Sequence, residues 1–190
     1  MPKLFVIGGP NGAGKTTCAM SLLPEILKCR EYVNADAIAA GISPFKPEQT
    51  AIQAGRLMLE RIHYLSNRGE DFAFETTMAS KTFVPLLKKC KNKGYSITLI
   101  YLWLASPELA IKRVALRVAG GGHGIPVEVI RRRYKNGVSN FFRLYLPVCD
   151  SWGIYDNSSD HPIAVARKNV HKKEEIFKEL ILNNIKESIK

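Results

Sequence analysis

The sequence predicts an α/β fold, a three-layer, doubly wound and mainly parallel sheet with helices on both faces. Three observations point there. Apolar stretches alternate with segments of helical periodicity along the 190 residues, as parallel βαβ units require. The run Ile97-Thr98-Leu99-Ile100-Tyr101-Leu102-Trp103-Leu104 is almost continuously apolar, as in a strand covered on both faces. Residues Gly9-Pro10-Asn11-Gly12-Ala13-Gly14-Lys15-Thr16 spell a complete G-x-x-x-x-G-K-[ST] loop.

Strands are expected at residues 3–7, 32–34, 72–75, 97–104, 152–155 and 163–167. The first runs straight into the glycine loop, and Thr17 to Leu23 continue as a helix, so the loop has the context its chemistry needs. This places the chain among P-loop NTPases. Residues 47–67 read as a long helix with Ile52, Leu57, Leu59, Ile62 and Leu65 on its inner face. Residues 81–92 read as another, stopped by Gly94. Ser106-Pro107-Glu108 is a helix start, a capping serine followed by proline at the first helical position. Arginine-bearing helices flank Gly120-Gly121-Gly122-His123-Gly124, which suggests a small Gly-hinged basic lid over about 113–137. A last helix is expected over about 172–189. No repeat, low-complexity tract or linker interrupts the chain, so residues 1–190 are expected to form a single domain.

Composition narrows the setting. A hydrophobic content of 46% and a charged content of 24% are those of a soluble globular protein. No apolar run approaches the ~20 residues that span a bilayer, and residues 4–7 are too short for a signal peptide, so a cytoplasmic protein with no membrane partner is expected. Cys18, Cys29, Cys90 and Cys149 are scattered without a C-x-x-C pair, which suits reduced thiols and argues against zinc. The net charge of +11 favours polyanionic ligands, nucleotides and nucleic acid alike. Its clusters at Lys88, Lys89, Lys91 and Lys93 and at Arg131-Arg132-Arg133 are equally compatible with solvated surface. No aromatic RNA-binding signature accompanies them.

The glycine loop carries the first chemistry. Its N–H groups and the following helix N-terminus suit a polyphosphate, Lys15 can reach the β- and γ-phosphates, and the Thr16 hydroxyl can ligate Mg²⁺. Residues Gly9 to Thr17 are therefore expected to hold a nucleoside triphosphate. A dinucleotide reading fails because Gly12-x-Gly14 is followed by Thr17 at the position of the third glycine.

Ligands in such sheets lie beyond the carboxyl ends of the strands. Asp36 falls there, and its carboxylate can take the proton of a substrate hydroxyl attacking the γ-phosphate, or cap the helix that starts beside it. Glu75 emerges after the third strand, able to reach Mg²⁺ or substrate hydroxyls together with Thr76 and Thr77. Arg113 and Arg117 share a helix face and can act on phosphate when the lid closes. His123 can contact phosphate or substrate, or be a plain loop histidine. Asn157 lies where an adenine ring would rest, although turn formation also explains it. Tyr64, Tyr95, Tyr101 and Tyr134 read as packing side chains.

The ordered set of the phosphate loop, Val33-Asn34-Ala35-Asp36, Phe74-Glu75-Thr76-Thr77, the Gly-rich lid and Tyr155-Asp156-Asn157-Ser158 resembles the zeta-toxin-like P-loop kinases, in a compact bacterial branch, over roughly residues 1–168. The resemblance implies a kinase that uses ATP and Mg²⁺ to phosphorylate a small-molecule hydroxyl acceptor. In the zeta toxins that acceptor is UDP-N-acetylglucosamine, at its 3′-hydroxyl. Asp36 matches the family's catalytic aspartate, Lys15 and Thr16 its phosphate and magnesium positions, and Glu75 and Thr77 its substrate-holding acid and threonine. Arg113 resembles the first phosphate-directed arginine. The second would fall near Gly122-His123, where this chain has none, so His123 or an arginine of 131–133 replaces it or the contact is lost. Three other readings stay open: a kinase of another metabolite or nucleoside, a nucleic-acid-binding NTPase or switch, and a toxin component restrained by an antitoxin partner.

Overall fold

A computed structural model describes residues 1–189; Lys190, counted in the expected domain, lies outside the described residues. Among the described residues, seven strands form one sheet. They are β1 (Lys3–Gly8), β2 (Glu31–Val33), β3 (Phe72–Thr76), β4 (Ser96–Trp103), β5 (Ser151–Asp156), β6 (Ile163–Lys168) and β7 (Glu175–Ile176). Their order is β2-β3-β1-β4-β5-β6-β7, with the first five parallel, β6 antiparallel to β5 and β7 antiparallel to β6. The helices are α1 (Lys15–Glu25), α2 (Ala35–Ile42), α3 (Ala51–Arg68), α4 (Phe83–Asn92), α5 (Pro107–Ala119), α6 (Val127–Asn140) and α7 (Glu179–Glu187). The doubly wound, mainly parallel expectation is met.

The period of two along β1 separates the layers. Leu4 and Val6 face the large core with Met58, Ile62 and Leu65 of α3, while Phe5 and Ile7 face a smaller cluster with Ala19 and Leu23 of α1. Because β1 is central, paired to β3 on one side and β4 on the other, its carboxyl end lies at the middle of the sheet's ligand edge.

Three expectations needed correction. The inner face of α3 is Ala54, Met58, Ile62 and Leu65, a stripe at helical spacing; Ile52 and Leu57 lie off it and are 77% and 39% exposed. Small Ala54 took the place that a hydrophobicity count gives to larger neighbours. The last helix begins at Glu179 and not at 172, because the Phe177 and Lys178 N–H groups donate to the Val165 carbonyl and Glu175 pairs with Arg167, making residues 175–178 an edge on β6. Tyr64 is exposed between the guanidinium groups of Arg61 and Arg68, whereas Tyr95, Tyr101 and Tyr134 are buried. The lysine cluster before β4 partly serves the fold: Lys91 bonds Asp150, and Lys93 bonds Asn67. Among the described residues no helix is long and apolar enough to cross a membrane.

Candidate active site

The phosphate loop leaves β1 at Gly8 and enters α1 through Gly14, whose φ of 77° is open to glycine at little cost. A Cβ there would also stand 2.9 Å from the Asn157 amide nitrogen. The loop is braced from behind. Asn157 donates its side-chain amide to the Ala13 carbonyl at 2.8 Å, and the Arg113 guanidinium donates to the Asn157 and Ser158 carbonyls at 2.7 and 3.0 Å. Asn157 thus acts on the loop through its amide and is not among the residues lining the two cavities described below. Lys15 is buried and folds back to donate to the Pro10 carbonyl at 2.9 Å. Burial holds its ammonium below the ordinary lysine pKa, against the opposing pull of Glu75 and Asp36. An arriving phosphate offers that ammonium a better partner than a carbonyl.

Beside the loop, the Thr16 hydroxyl donates to Glu75 Oε2 at 2.9 Å, and the Tyr32 hydroxyl donates to the same oxygen. Burial, and then the Glu75 charge, push the Tyr32 phenol pKa up, so it stays a donor. Thr16 and Glu75 present hard oxygen donors next to the phosphate cavity. They fit Mg²⁺, which takes one or two protein oxygens and completes its shell from phosphates and water.

One of the two roles considered for Asp36, that of helix cap, falls to another residue. Asn34 is the N-cap of α2: its Oδ1 accepts from the Asp36 and Ala37 N–H groups at 2.8 and 3.2 Å. Asp36 is thereby relieved of capping, and its carboxylate, 53% exposed, faces the cavities.

Two cavities meet at this point. One, of about 220 Å³, lies over the phosphate loop and is bounded by Thr16, Thr17, Arg113 and Arg117. The other, of about 230 Å³, lies between α2, the end of β3 and α6, bounded by Thr76, Thr77, Phe83 and Arg133. Asn11, Lys15, Asp36 and Glu75 line both. The Thr76 hydroxyl is taken up by the Met78 N–H at 3.0 Å, which leaves Thr77 the freer of the two threonines.

The segment expected as a lid reaches this junction. Its Gly-rich turn brings His123 Nε2 to 3.7 Å from Asp36 Oδ2, while Arg117 holds the His123 carbonyl at 3.1 Å. Arg113 and Arg117 both border the phosphate cavity as their spacing suggested, but the Arg113 guanidinium is largely occupied by the 157–159 carbonyls. Within the triplet, Arg131 pairs with Glu108, Arg132 is exposed, and Arg133 is half-buried against the second cavity. Burial lowers the Arg133 pKa and the Asp36 charge opposes that. Tyr32 was absent from the residues expected at the site, and Arg133 was expected only as one of the triplet 131–133. Asn34 had a signal as a cap, an Asn just before a helical segment, whereas nothing local in the sequence singled out Arg133 within its triplet.

The sequence model of one family, described as Zeta toxin, matches residues 1–161. An uncharacterized protein of Haemophilus influenzae is 29% identical over 126 residues, 66% of this chain and 88% of its own length. Among solved structures, a chain of the AvrRxo1-ORF1:AvrRxo1-ORF2 complex with sulphate ions gives a TM-score of 0.79 at 16% identity, covering 97% of this chain. This chain spans 63% of that protein's length, under two thirds. The PezAT toxin-antitoxin system of Streptococcus pneumoniae gives 0.60 at 20% identity, covering 85% of this chain and 72% of that one. Shikimate kinase of Bacteroides thetaiotaomicron gives 0.51 at 12%, covering 99% and 94%. These structural likenesses are likenesses of fold.

Proposed function

The chain belongs to the zeta toxin family, and from that premise we propose that it is an ATP- and Mg²⁺-dependent kinase acting on the hydroxyl of a small molecule. One observation carries the reading: Asp36, Lys15, Glu75 and Asn11 line both the cavity over the phosphate loop and the cavity beside it. Such a boundary is where an acceptor hydroxyl would meet a γ-phosphate. ATP occupies residues 9–17 with its γ-phosphate towards Asp36. The acceptor oxygen attacks phosphorus, its proton passes to an Asp36 carboxylate oxygen, and the bond to the β–γ bridging oxygen breaks to release ADP.

The remaining residues position and balance charge. Lys15 and Arg117 stabilise charge on the phosphates, and Thr77 with Glu75 orients the acceptor. When bound through Thr16 and Glu75, Mg²⁺ supplies charge neutralisation at the phosphate oxygens. The turn carrying His123 excludes water, the competing acceptor.

UDP-N-acetylglucosamine is the acceptor we propose first, on family membership, with other metabolites and nucleosides as the second choice. Transfer of label from γ-labelled ATP into a panel of sugar nucleotides, nucleosides and free sugars tests both. A labelled organic product supports the kinase. Hydrolysis to free phosphate that polynucleotide stimulates and salt suppresses would favour the NTPase-switch reading instead. A restraining partner protein, in keeping with the toxin-antitoxin description of the PezAT relative, would show as loss of transfer when the product of a neighbouring gene is added.

A further inference from the structure

Arg133 is the one member of the arginine triplet that enters the site. It borders the cavity beside the phosphate loop and also a third cavity of about 350 Å³, between α2, the turn at Pro47–Thr50 and the lid, but not the phosphate cavity. Among the described residues its guanidinium has neither a hydrogen-bond partner nor an ion pair, whereas Arg131 is paired with Glu108. Arg113 and Arg117 are both engaged by backbone carbonyls. A half-buried guanidinium that no protein group engages, at the edge of an open cavity, has its planar set of donors available to a bound anion.

Its position is also held firmly. Gly137, one turn on, lies so close to the end of β3 that a Cβ would stand 2.5 Å from the Thr77 carbonyl oxygen. Asn140, on the same face, donates to the Met78 and Ala79 carbonyls at 2.8 and 3.2 Å. Tyr134 donates to the Leu104 carbonyl at 2.6 Å. Three contacts therefore lock α6 against the sheet edge, and Arg133 is presented to the acceptor cavity by rigid structure.

We infer that Arg133 is an acceptor-binding residue and that the acceptor is an anionic hydroxyl compound, bearing a carboxylate or phosphate that Arg133 grips. The inference rests on the kinase reading of the neighbouring cavities. Arg133 is set on the acceptor side, separated from the phosphate-side Arg117, so it selects what is phosphorylated. Planar, bidentate recognition makes lysine a poor replacement.

The test fills the phosphate loop first, with a non-hydrolysable ATP analogue and Mg²⁺. Inorganic phosphate and malonate are then titrated into the loaded protein at fixed ionic strength by calorimetry. The expected result is one further anion site, weakened about tenfold or more in Arg133→Met, as for loss of a charge-assisted hydrogen bond. Arg133→Lys should be intermediate, and Arg132→Met, altered at an exposed position, should match wild type. The tighter of the two probes names the anion. Absence of a second site in the loaded wild type, or equal affinity in Arg133→Met and wild type, would overturn the assignment. Failure of the analogue itself to bind wild type would bring down the kinase reading and the acceptor role of Arg133 together.

Discussion

The Thr16 hydroxyl donates to the Glu75 carboxylate at 2.9 Å, joining the phosphate loop to the end of β3. Without that contact the loop and the acid would be separate features of two strands. With it, they form one oxygen-rich corner, buttressed by Tyr32 and Asn34. Glu75→Gln removes the charge and keeps the shape. It should raise the Mg²⁺ concentration needed for half-maximal binding of an ATP analogue by about 10–100-fold. An unchanged Mg²⁺ requirement would remove Glu75 from the metal corner.

Gly137→Ala tests the closeness of α6 to the Thr77 carbonyl, since the added Cβ would stand 2.5 Å from that oxygen. Backbone must shift, so the variant should lose about 1–3 kcal/mol in urea unfolding. Nucleotide affinity should hold, because α1 and the loop are braced by α5 and Asn157. Wild-type stability would mean that α6 is loosely seated.

Asn157→Ala deletes the bond to the buried Ala13 carbonyl and leaves the backbone contact with Arg113 in place. A stability loss of about 1–3 kcal/mol is expected, with weaker ADP binding in calorimetry. Normal ADP affinity would show that the loop keeps its shape unaided.

Asp150 gives a pH prediction away from the site. Burial alone would raise its pKa, but the Ile97 N–H at 2.9 Å and the Lys91 ammonium at 2.7 Å outweigh it and hold the carboxyl below its ordinary value. A depressed folded value gives stability that is present above the unfolded value, ~4, and lost as pH falls through the folded one. Asp150→Asn should therefore destabilise by about 1–2 kcal/mol at neutral pH, and the gap from wild type should shrink below pH ~4. A pH-independent gap would place the effect in packing.

The strands and the phosphate loop were legible because both rest on local pattern: alternation along β1, continuous apolar character in β4, and a motif with its flanks. Azimuth was less legible. Which of Arg131 to Arg133 turns inward depends on contacts of Gly137 and Asn140 with Thr77, Met78 and Ala79, remote in sequence. Asn34 and Asp36 are both plausible caps by residue type, and only the backbone course past β2 assigns the cap to Asn34 and frees Asp36. The edge strand at Glu175–Ile176 is too short for periodicity to reveal; it is set by hydrogen bonds to β6.

Asp36→Asn is the most direct probe of the proposed chemistry, with phosphate transfer and Mg²⁺·ATP affinity measured on the same preparation and with the acceptor found in the panel. Transfer should fall by about 10²–10⁴-fold, the contribution of a positioned general base, while ATP affinity stays close to wild type. Wild-type turnover in Asp36→Asn would contradict the assignment of Asp36 as the base.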